Sequence, residues 1–215
     1  MYDQVRNTAR EVLMSENKRP EILDILETEY GFAVFDGSSD YDLNIIGVRN
    51  PHSKEAGSYD DQLVVCYKVG GKWKEERFSC TTDPGLYWLH NAKMNSGGCA
   101  IVKHPQQMRG AYSIGLHRGQ YECLKQMRPV EFWRDENRDN KADYSGPIYK
   151  GLIGVNIHRS SAWRDTKDEP VGRYSAGCTV LSKPEDLARL LWLCRKQIEV
   201  NNWQRFTYTL VMGDY

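Results

Sequence analysis

The chain has 215 residues, enough to bury a sizeable core as one domain or as one domain with a small appendage. Its 29 basic and 29 acidic residues cancel, which argues against a nucleic-acid-binding surface, and no stretch approaches the roughly 20 apolar residues of a membrane span. Six cysteines, at 66, 80, 99, 123, 178 and 194, show neither a Cys-x-x-Cys pair nor zinc spacing, so free thiols are expected.

The opening residues, Met1-Tyr2-Asp3-Gln4-Val5-Arg6, lack the apolar run of a secretory signal, so synthesis in the cytoplasm is the expectation. Residues 2–15 and 20–30 place apolar side chains at helical intervals: Val5, Ala9, Val12 and Leu13, then Ile22, Leu23, Ile25 and Leu26. Pro20 suits the first turn of the second helix and Gly31 its end. Residues 1–31 therefore read as a helical N-terminal appendage whose apolar stripe packs on a core. Residues 32–215 read as one mostly β (α+β) domain. Leu63, Val65 and Tyr67 alternate with Val64, Cys66 and Lys68, and Gly70-Gly71 separates this run from residues 73–80, a hairpin signal. Further strands are expected at 100–102, 112–116, 121–124, 130–134 and 154–158. Many short strands with glycine-rich turns predict a sandwich or open barrel, not alternating βα units.

Two features along this path invite a chemical reading. Asp135, Asn137, Asp139 and Asp143 stand at the first, third, fifth and ninth positions of a run, the spacing of a calcium loop. Asn140 replaces the usual glycine, Gly146 replaces the bidentate glutamate, and Arg138 and Lys141 offset charge, so a solvated turn is the better reading, with weak calcium binding as the alternative. Gly97-Gly98-Cys99 with His104 nearby mimics a nucleophile motif, but glycines before a strand commonly serve a turn, and Cys99 reads as structural.

The most informative segment lies further on. His158 ends a short apolar run, and Ser175-Ala176-Gly177-Cys178 opens another. A cysteine behind a glycine, with a histidine able to reach it, is the minimum equipment for thiolate catalysis. His158 would act as base, and the backbone amides of Gly177 and Cys178 could turn toward a developing oxyanion. The bland alternative is a buried structural cysteine and an unrelated core histidine. Ser175, or a backbone carbonyl nearby, could orient His158.

This spacing resembles the catalytic motif of bacterial L,D-transpeptidases: a histidine, a gap of roughly fifteen residues, then Ser/Thr-His-Gly-Cys and an apolar residue, with a helix and a final strand after it. His158, Ser175, Gly177 and Cys178 match, and residues 184–200 and 206–212 read as that helix and strand. Ala176 stands where the family usually has histidine, and Val180 where an arginine often lies. The resemblance implies an L,D-transpeptidase-like fold and a thioester-forming peptidoglycan enzyme without a cofactor, acting on stem peptides at the carbonyl of an L-centre. Arg159, Arg173, Tyr174 and His117 are the expected substrate-binding residues. Without a signal sequence, the expectation is a stem-peptide hydrolase of bacteriophage endolysin type, reaching the wall by holin-dependent release or carried in a virion. A true L,D-transpeptidase and a non-catalytic wall-binding or virion module are the alternatives.

Overall fold

In the computed structural model, which describes residues 18–91 and 95–215, the chain is built mainly of strands. The expected helix at 2–15 lies outside the described residues. Eight strands form a closed mixed barrel in the order β1 (Asn44–Arg49), β11 (Phe206–Met212), β5 (Gln106–His117), β6 (Tyr121–Gln126), β9 (Ile157–Arg159), β10 (Thr179–Leu181), β3 (Lys72–Thr81) and β2 (Asp61–Val69). A three-stranded sheet, β4 (Cys99–Val102), β7 (Val130–Asp135) and β8 (Tyr149–Gly151), stands beside it. Three helices complete the described chain: α1 (Glu21–Thr28), α2 (Leu86–Asn91) and α3 (Pro184–Asn201). The mostly β fold with a C-terminal helix and a short N-terminal helix is thus as expected, and its barrel is closed. No described helix is long and apolar enough to cross a membrane.

The strand pattern follows from where each face is buried. Ile45, Leu63 and Val65 point into the main core with Leu181, Tyr208 and Leu210, and α3 adds Leu187, Leu190, Leu191 and Leu193 to that cluster. The alternate residues Ile46, Val64 and Cys66 pack on the other face against Ile22, Leu23 and Leu26 of α1. Strands covered on both sides carry apolar residues at nearly every position. The stripe of α1 is therefore core packing, and each of its three buried side chains brings roughly 1.5–3 kcal/mol of transfer free energy. Gly47 lies where a Cβ would stand 2.0 Å from the Tyr208 hydroxyl, so a side chain there would displace the tyrosine.

One end of the barrel holds a buried polar network. The Arg49 side chain, 1% exposed, pairs with Asp83 at 3.0 Å and donates to the Thr82 hydroxyl, the Thr82 and Val102 carbonyls and His104 Nδ1. Asp61 accepts from Asn50 N, Thr82 N and the Thr82 hydroxyl, and Tyr144 donates to Asp83. Burial, then the neighbouring Asp83, raise the Asp61 carboxyl to about 7.

Candidate active site

β9 and β10 bring the two motif segments together. They pair in parallel, with Val180 opposite His158 and Thr179 opposite Ile157. Ile157 and Leu181 point into the barrel core, so His158 and Val180 project to the other face. Cys178, two residues before Val180, projects the same way and packs against the cluster of Val180, Val171 and Tyr59. The sixteen residues between His158 and Ser175 thus form a crossover that returns to a neighbouring parallel strand.

Hydrogen bonds fix the state of His158. Its ring is 2% exposed, and Nδ1 lies 2.8 Å from the Arg159 carbonyl. A carbonyl can only accept, so Nδ1 carries the proton and Nε2 the lone pair. Nε2 is buried with no hydrogen-bond partner. Tyr121 also donates to the Arg159 carbonyl, at 3.2 Å. The Arg159 carbonyl is therefore the group that orients the histidine; Ser175 is not. His117 stacks on His158 with ring centroids 4.0 Å apart and receives a hydrogen bond on Nδ1 from the Asn156 amide, which places its own proton on Nε2. Burial, then the adjacent His117, hold His158 down at about 3, so it is neutral at pH 7.

Cys178 is half-buried, and its thiol donates to the Gly154 carbonyl at 3.5 Å. Burial raises its pKa to about 11, opposed by a hydrogen bond from the Asn156 backbone and by the charge of Arg118. The resting pair is a thiol and a neutral imidazole, and the thiol points to Gly154 instead of His158.

The turn before the nucleophile is built for shape. Ser175 donates from Oγ to the Cys178 carbonyl at 2.8 Å and accepts the Gly177 amide at 3.2 Å. Gly177 has φ +116°, and a Cβ there would meet the Ala100 carbonyl oxygen at 2.5 Å, so only glycine fits. Of the two amides expected to face an oxyanion, that of Gly177 is occupied by Ser175, which corrects that part of the sequence reading. Ser175 and Gly177 position the nucleophile without reaching toward a substrate.

The remaining expected residues gather beside His158. His117, Arg118, Tyr121, Arg159, Arg173 and Tyr174 help line an open pocket of about 420 Å³. The Arg159 guanidinium lies over the Tyr121 ring at 4.1 Å and that of Arg173 over Tyr87 at 4.0 Å. Three residues without any motif signal belong to the site. Arg118 sits on the β5–β6 turn. Asn156 joins Gln126 N to His117. Gln126, buried, accepts the amides of Ile153, Gly154 and Val155 on Oε1 and donates from Nε2 to the Arg128 and Gly151 carbonyls, fixing the loop whose Gly154 carbonyl holds the thiol.

In the run with calcium spacing, Asn137 and Asp139 each accept the amide two residues on, closing turns of their own, and Asp135 accepts from Asp143 N. Among the described residues no three His, Cys, Asp or Glu side chains converge as metal ligands. Cys99 is buried on β4 with its thiol toward the Ala176 carbonyl at 3.7 Å, and burial raises it to about 12. The six cysteines are all free. No protein-family model, no curated protein and no solved structure matches this chain, so the case for what the site does rests on its residues and their geometry.

Proposed function

We propose that the protein is a cysteine-dependent enzyme of peptidoglycan stem peptides, acting as a hydrolase in cell-wall degradation, with Cys178 as nucleophile and His158 as general base. The observation that carries this reading is the bare, buried Nε2 of His158 on the strand paired to the one that Cys178 immediately precedes, with Nδ1 tied to a carbonyl. A core histidine with a purely structural role would have both ring nitrogens satisfied. The resemblance of the motif to L,D-transpeptidases supplies the substrate class.

With the thiol near 11 and the imidazole near 3, a thiolate–imidazolium pair is not the resting state. The thiol must turn from the Gly154 carbonyl to Nε2, and its proton passes to Nε2 as the sulfur–carbon bond forms. The carbonyl oxygen becomes an oxyanion, for which the Cys178 amide remains the proposed donor. Collapse breaks the carbon–nitrogen bond, His158 returns the proton to the departing amine, and a thioester remains. Water then attacks with His158 again taking a proton, releasing the acid and restoring the thiol.

The test is mass spectrometry of purified muropeptides incubated with the unmodified protein and with Cys178→Ala, with and without an added D-amino acid. Cys178-dependent loss of D-alanine or separation of cross-linked stems is the expected result. Exchange of the terminal D-amino acid would make the protein an L,D-transpeptidase, and no Cys178-dependent product would remove the enzymatic reading in favour of a wall-binding or virion role.

A further inference from the structure

The charge lining the pocket beside His158 contrasts with that of the hollow at α1. That hollow, of about 470 Å³, is lined by Arg19 and Arg77 among others, and those two pair with Asp24, Glu27 and Glu75. By contrast, the three arginines of the His158 pocket, Arg118, Arg159 and Arg173, have no carboxylate partner among the described residues. The lining of the pocket contains no acidic residue. Unpaired guanidiniums around one concavity create a positive field that a small anion would complete.

Arg118 differs from its two neighbours. Arg159 and Arg173 are laid over aromatic rings, which fixes their planes at the rim. Arg118 occupies the first of two successive left-handed positions, φ +49° and then φ +74° at Gly119, in the three-residue turn between the paired His117 and Tyr121. Glycine or asparagine takes that position at lower cost, so the arginine there carries a backbone penalty. Its charge also bears on the site, depressing Cys178 against burial and contributing to the low values of His117 and His158.

Building on the hydrolase reading above, we propose that this pocket is a carboxylate subsite, in which Arg118, supported by Arg159, selects stem peptides bearing a free side-chain or α-carboxylate over their amidated counterparts. The planar guanidinium matches a carboxylate with two parallel hydrogen bonds, which a carboxamide cannot accept equally. The guanidinium comes from the turn between β5 and β6, 40 residues before His158 and 57 before Ser175.

Binding can be read apart from turnover. Two synthetic stem tetrapeptides that differ only in one carboxylate or carboxamide would be titrated calorimetrically into Cys178→Ala protein, with Arg118 intact or changed to Gln or Lys. The expected result is about tenfold tighter binding of the carboxylate peptide. That preference should fall to within about twofold in Arg118→Gln and be partly kept in Arg118→Lys. Arg205→Gln, on another face, should keep it, and thermal unfolding would confirm that each variant is folded. Equal affinity for the two peptides, a preference that survives Arg118→Gln, or no binding of either peptide would overturn the subsite. If the preference holds while the unmodified protein shows no Cys178-dependent product, the catalytic reading fails and the subsite stands.

Discussion

Two segments of this chain have the same local design, a left-handed glycine followed by a cysteine at the start of or just before a short strand, yet their surroundings differ. At Gly98-Cys99 the glycine has φ +91° and a Cβ would fall 1.7 Å from the Asp135 carbonyl oxygen; at Gly177-Cys178 the glycine has φ +116° and the obstacle is the Ala100 carbonyl. Both glycines let one backbone approach another closely. The difference lies in the histidines. His104, near Cys99 in sequence, has its Nδ1 occupied by the Arg49 guanidinium at 2.6 Å, because an arginine can only donate. His158 donates to a carbonyl and leaves a lone pair bare. A Gly-Cys pair with a nearby histidine is therefore insufficient to mark a nucleophile; the hydrogen bond made by the far side of the ring decides whether the histidine is a base.

The sharpest way to break this contrast is to remove each sulfur in turn. Cys178→Ala should lower muropeptide turnover by at least about a thousandfold, the scale on which nucleophile removal acts, while Cys99→Ala should cost about 1 kcal/mol of stability and leave turnover within about threefold. Muropeptide analysis with urea unfolding measures both, and comparable losses would place Cys99 in the reaction. Next in size is Arg49→Met, which leaves Asp83 buried without its cation and should destabilise the fold by about 3–5 kcal/mol in the same unfolding assay. Gln126→Leu should follow at about 3 kcal/mol, because three loop amides lose one shared acceptor. Since that loop carries the Gly154 carbonyl, its effect on turnover at a temperature where the variant is fully folded should exceed tenfold.

How much of this was legible in the sequence depended on how local the signal was. The hairpin at Gly70-Gly71 carries its alternation and turn residues within one segment and forms close to its expected bounds, as do α3 and β11, which the motif's resemblance placed. β1 escaped because Asn44–Arg49 is buried at every position, which leaves no alternation to read. β9 and β10 are only three residues each, too short for a periodic signal, although the motif ends marked where they meet. At the site, Cys178 and His158 were found from residue type and spacing, but the distribution of their protons was not. That distribution is set by Arg159, His117, Asn156 and Gln126, which come from three strands and a loop and meet only in the folded chain. In the run with calcium spacing, Asn137 and Asp139 each close a turn of their own, a hydrogen bond that the spacing alone does not reveal.

The smallest expected effect tests the proton bookkeeping of the two histidines directly. His158 and His104 are each held at about 3, both chiefly by burial, the first with His117 next and the second with Arg49 next. Between about 3 and the ordinary value of roughly 6.5, each binds a proton in the unfolded chain and none in the folded one. Stability from these groups is therefore present above that window and lost as the pH falls through it. Asp61 and Asp135, raised to about 7 and about 6, act with the opposite sign above pH 4, so the unmodified protein alone would show a muted dependence. The difference between the unmodified protein and His158→Gln isolates the histidine, because the two carboxyls are common to both. On going from pH 7 to pH 5 the unmodified protein should lose about 2 kcal/mol relative to the variant, as measured by urea unfolding at each pH. His104→Gln should show a similar pH-dependent gap, because both rings are held at about 3 and so are neutral in this range, yet only His158→Gln should abolish turnover. A flat gap for His158→Gln would mean that its ring is protonated in the folded protein, with a thiolate at Cys178 as its natural partner, and the reaction would then begin from an ion pair.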